Sequence, residues 1–195
     1  MPQRSRLTAE SLDLDSLHGF YQAPALCVWT DETAALLQAT LAKLGDDGLD
    51  PEQYHATALT NRANPVNSDA AQERDLLATD AALAYARTMA SGRVDVASLS
   101  DQIDFPHPLF DPVEPLRLAL GHGDLTTWLA QLPPPDPQYA ALKGALAHYR
   151  TLAAWQPVPP PGGKAIDPGM QDPVIPALKQ RLVIEGELAA VDAGG

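Results

Sequence analysis

Cysteine is nearly absent: Cys27 stands alone in 195 residues. That excludes an internal disulfide framework and a cysteine-based zinc cage, but leaves the redox compartment open, because a cysteine-poor chain is at home in either. Basic residues are scarce. Thirteen Lys and Arg face 25 Asp and Glu, a formal charge of −12, and this balance repels a phosphate backbone and an anionic membrane surface alike. Nucleic acid is therefore not an expected partner. No apolar run approaches the ~18 residues of a membrane span. The start MPQRSRLTAESLDLD has two Arg but no apolar segment behind them, so no signal peptide is read there. Ile and Val are also few, 13 together against 60 Ala and Leu. That ratio favours helix over sheet, since β-branched residues populate strands while Ala and Leu head the helix scale. The length suits one ordinary domain, or one domain with a fragment of another.

What the chain has in quantity is Asp-Pro. The pair occurs at Asp50-Pro51, Asp111-Pro112, Asp136-Pro137, Asp167-Pro168 and Asp172-Pro173. Four of the five read as helix starts, with Asp accepting from orphan amides and Pro supplying a pre-set φ without an N–H to leave unpaired. Gln53 and Glu114, three residues after Asp50 and Asp111, predict capping boxes. Between these marks the pattern predicts an all-α fold with helices at about 8–18, 31–45, 51–60, 68–91, 112–120, 125–132, 137–155 and 173–186, several ended by Gly. The run Gln156–Gly163, with Pro157, Pro159, Pro160, Pro161, Gly162 and Gly163, cannot be helix and reads as a linker. The expected organisation is a compact helical domain at 1–155, a Pro/Gly linker at 156–164, and a segment at 165–195 holding a single amphipathic helix.

The longest predicted helix, 68–91, stacks Leu76, Leu83 and Ala90 on one line with Leu77 and Ala84 beside it. Asp80 and Arg87 fall in the same arc, where a solvated face would not put charges. They read as structural polar anchors, either a partly buried ion pair or two ties for neighbouring loop backbone; the plainer alternative is a helix edge from which both side chains reach water. Expected core residues are Trp29, Leu36, Leu76, Leu83, Leu142 and Leu146.

Motifs for chemistry are missing. Cys27 lies in Leu26-Cys27-Val28-Trp29, with no basic residue near in sequence to lower its pKa, and reads as a buried structural thiol. His18, His55, His107, His122 and His148 show no metal-ligand spacing. His122, between two glycines, reads as a loop residue after a helix. Trp29, Trp128 and Trp155 flank apolar helices and read as core anchors. No G-x-S-x-G elbow, P-loop or dinucleotide fingerprint occurs, so neither a metal nor a cofactor is expected, and no catalytic or binding residue is assigned.

Several stretches, in order, resemble the scaffold region of murein L,D-transpeptidases of the YcbB type. Phe20-Tyr21 through Trp29 resembles that family's aromatic opening segment, and Gly48-Leu49-Asp50-Pro51-Glu52-Gln53-Tyr54-His55 a helix start within it. Asp75-Leu76-Leu77-Ala78-Thr79-Asp80, Tyr85-Ala86-Arg87 and Gly92-Arg93-Val94-Asp95 resemble its long helix and the turn behind it. Pro137-Gln138-Tyr139-Ala140-Ala141-Leu142-Lys143, with Tyr149-Arg150, resembles the last scaffold helix, and Asp172-Pro173 through Leu182 the beginning of a peptidoglycan-binding helical domain. The resemblance implies a place in peptidoglycan cross-linking and cell-wall biogenesis, in the periplasm or cell envelope, with a transpeptidase catalytic domain or peptidoglycan as partner.

The family's chemistry resides in a Ser/Thr-His-Gly-Cys motif whose thiolate attacks a peptide stem. This sequence contains no such motif: His122-Gly123 is followed by Asp124, and Cys27 does not match the motif position. The expectation is a non-catalytic scaffold module, either a piece of a longer enzyme or a stand-alone relative. Two other readings stay open at this stage. One is a cytosolic all-α adaptor unrelated to the wall; the other is an enzyme with a loop-borne site using Cys27 or His122. The predicted helix at 173–186 carries Val174, Leu178 and Leu182 on one stripe, and a helix of that length is marginal alone in water. Docking on the scaffold or self-association through it is expected.

Overall fold

The computed structural model describes residues 12–22, 28–94, 110–152, 157–159, 166–169 and 171–190. Among the described residues the fold is all-α, as composition and capping predict, with no strand. The helices are α1 (Leu14–Phe20), α2 (Asp31–Leu41), α3 (Ala56–Asn61), α4 (Ser68–Ser91), α5 (Val113–His122), α6 (Leu125–Gln131), α7 (Pro137–Thr151) and α8 (Ile175–Glu185), with 3₁₀ turns at Leu44–Asp47 and Pro51–Tyr54. Cys27, His107, Trp155, most of the Pro/Gly linker and the first residues of the helix expected at 8–18 lie outside the described residues.

The four Asp-Pro pairs expected to start helices share one device: the carboxylate accepts from the amide two residues on. Asp50 takes Glu52 N, Asp111 Val113 N, Asp136 Gln138 N and Asp172 Val174 N, at 2.7 to 3.1 Å. This geometry replaces the capping boxes expected from Gln53 and Glu114. Glu114 pairs instead with Arg117 on the next turn. The reciprocal box that does form is Thr30 with Thr33, at the start of α2. At the other end of α4, Gly92 takes φ 78°, a backbone angle at which a side chain would be strained.

Two predicted helices are in part 3₁₀ turns. The one at 31–45 ends at Leu41 and tightens into the 3₁₀ turn Leu44–Asp47. The one at 51–60 is broken by His55, whose φ of 58° is the single positive value among the described non-Gly residues. That left-handed residue is both the C-cap of the turn Pro51–Tyr54 and the N-cap of α3.

The chain divides by its internal packing into two compact units, Met1–Tyr139 and Ala140–Gly195. In the first, α4 is the central element, packed on by α1, α2, α3, α5 and the turn Pro51–Tyr54. Consequently α4 is buried nearly all round rather than along one stripe: Leu77, Ala78, Ala81, Ala82, Leu83, Tyr85 and Ala86 are all inside. The alanines let neighbouring helices approach closely from several sides. Of the stripe expected to face the core, Leu77 and Leu83 are fully inside, Leu76 and Ala84 are half-buried and only Ala90 is exposed. Trp29 and Leu83 are buried as expected, and Leu36 and Leu146 are half-buried. Leu142 is not: it is 69% exposed, on a helix with no buried residue.

In the second unit, Val174 is buried and Leu178 exposed, while Ile175, Leu182 and Val183 are half-buried. Arg181 and Glu185 pair one turn apart along α8.

Candidate functional site

The polar side chains of α4 meet the loops that lead into α1, α2 and α3, and this seam is the chemically distinctive part of the molecule. Asp80, only 6% exposed, uses both oxygens: Oδ1 accepts from Asp13 N at 2.8 Å and Oδ2 lies 2.7 Å from His55 Nε2. Five residues earlier, Asp75 Oδ2 accepts from Val28 N at 2.6 Å and from Trp29 N at 3.4 Å. Thr79, fully buried between them, meets Trp29 Nε1 at 2.9 Å and the Tyr21 hydroxyl at 2.8 Å. Arg74, also buried, donates to Asp31 Oδ1 at 2.6 Å and to Trp29 O at 3.3 Å. Buried polar atoms of this kind cost free energy unless paired, and here the pairing is between segments far apart in sequence.

Arg87 lies two turns from Asp80 and does not bond to it. It donates to Asp13 Oδ2 at 3.0 Å and to Ser16 Oγ at 2.6 Å. Asp13 thus connects the two residues singled out in sequence: its amide goes to Asp80 and its carboxylate to Arg87. That carboxylate also caps α1 and takes the Ser16 hydroxyl. The Ser16 hydroxyl holds Asp13 below the usual 3.8; desolvation opposes, while the Ser16 amide and Arg87 reinforce. A carboxylate with a depressed folded pKa contributes stability above 3.8 that is lost as pH falls below it. Because the Arg87–Asp13 pair is well exposed on both sides, Arg87→Ala should cost only ~0.5–1 kcal/mol in urea unfolding.

A second cluster lies toward the C-terminal end of α4. Tyr139 donates to Asp47 Oδ1 at 2.7 Å and lies 3.7 Å from Met89 Sδ. Tyr54 bonds Thr88 Oγ1 at 3.0 Å and packs edge-on against Tyr85 at 6.4 Å. Burial, then the Asp47 carboxylate and Tyr54, push the Tyr85 phenol up to about 12; burial and the bond to Asp47 push Tyr139 up as well. Unfolded phenols ionise first, at 10.0, so the folded state loses stability as pH rises from 10.0 through about 12. The urea midpoint should fall between pH 9 and pH 11, and Tyr85→Phe should flatten that fall.

Sequence reasoning brought out Asp80 and Arg87 but missed Asp75, Thr79, His55 and Arg74. Asp75 and Thr79 are four apart, on one face of a helix, which is a readable signal. His55 carries none, because its role depends on a left-handed backbone that Tyr54-His55-Ala56 does not announce. His122 is exposed at the end of α5. Among the described residues no group of three or more His, Cys, Asp or Glu could hold a metal ion, and no helix is long and apolar enough to cross a membrane. Both oxygens of Asp80 are taken, by the Asp13 amide and His55, and Asp75 Oδ2 takes the Val28 and Trp29 amides, an arrangement that holds loop backbone in place.

Searches of curated proteins and of solved structures give no match. A protein-family model described as the Scaffold domain matches residues 15–146, a span from within α1 to within α7 that takes in the seam and the tyrosine cluster. The match covers well over half of the 195 residues, and the chain belongs to the Scaffold domain family.

Proposed function

We propose that this chain is the non-catalytic scaffold module of an L,D-transpeptidase-like protein of the cell envelope, a frame on which peptidoglycan cross-linking is organised. The observation that supports this is where the segments resembling the L,D-transpeptidase scaffold converge. Trp29, His55, Asp75, Thr79, Asp80 and Arg87 come from four such segments, and their polar atoms are engaged with one another or with nearby loops around α4. Tyr139, from a fifth, is tied to Asp47. Residues held in this way fix the relative positions of loops and helices, which is what a frame requires. In an acidic chain of this kind the partner is a catalytic domain or the wall polymer, not nucleic acid.

Two measurements on the purified full chain test the reading. Incubation with a carbapenem followed by intact mass should give no covalent adduct; acylation at Cys27 would overturn the non-catalytic assignment. Immobilised chain should retain a separately produced L,D-transpeptidase catalytic domain, or purified sacculi. Failure to bind either more tightly than ~1 mM would count against the wall and for an unrelated adaptor.

A further inference from the structure

We draw no further inference here: the strongest candidate, the exposed face of α7 that carries Leu142 and Tyr149, is an apolar helix face for which nothing in the structure shows what covers it.

Discussion

Asp80→Ala should lower the unfolding free energy by roughly 3 kcal/mol, a large loss for a single polar side chain. The carboxylate is 6% exposed and each of its oxygens has a partner: the Asp13 amide on Oδ1 and the His55 imidazole on Oδ2. Removal loses two hydrogen bonds to a charged acceptor. It also leaves His55 Nε2, itself buried, facing a hole. The second effect decides the magnitude, because an unpaired buried polar group costs more than the bond it once made was worth. Asp80→Asn should recover part of the loss by keeping an acceptor for the Asp13 amide. Urea unfolding followed by helical circular dichroism gives the value; a cost below ~1 kcal/mol would mean that water reaches the pair.

Leu83→Ala should cost ~3–5 kcal/mol, the range for a leucine truncated where the surroundings cannot collapse into the space. Leu83 is 1% exposed and sits on the helix that five neighbouring elements pack against, so little freedom remains to fill the gap. Leu142→Ala is the matched control. Both leucines are on helices and both were expected in the core from sequence, but Leu142 is mostly exposed, and its truncation should change stability by less than ~0.5 kcal/mol.

How much of this was legible in the sequence depends on whether the signal was local. The bounds of α4, at Ser68–Ser91, follow from Asn67 as N-cap and Gly92 as stop, and both act within one turn of the residues they control. The Asp-Pro helix starts were legible for the same reason. The exposure of Leu142 and Tyr149 on α7 was not, because they keep a core-like spacing two turns apart and nothing in the spacing tells whether a partner covers them. Central burial of α4 was also hidden. A helix surrounded on several sides needs small residues all round, and the alanines that provide them read in sequence as helix propensity alone. Within the seam, Asp80 and Arg87 stood out as charges among leucines. Their actual link through Asp13, 67 residues away from Asp80, depends on where α1 docks, which no local pattern states. The left-handed His55 belongs with these, since its strain is compensated by a partner on another helix.

Residue-resolved hydrogen exchange at three loop amides tests most directly whether the α4 seam is a frame. The N–H groups of Asp13, Val28 and Trp29 lie outside any helix and donate to carboxylates of α4, the first to Asp80 and the other two to Asp75. If the seam fixes the loops, these amides should exchange as slowly as those of Leu77–Ala86 in α4, opening only when the domain unfolds. Exchange at the rate of free loop amides, with α4 still protected, would show that the loops come and go without the helix, and would contradict the frame.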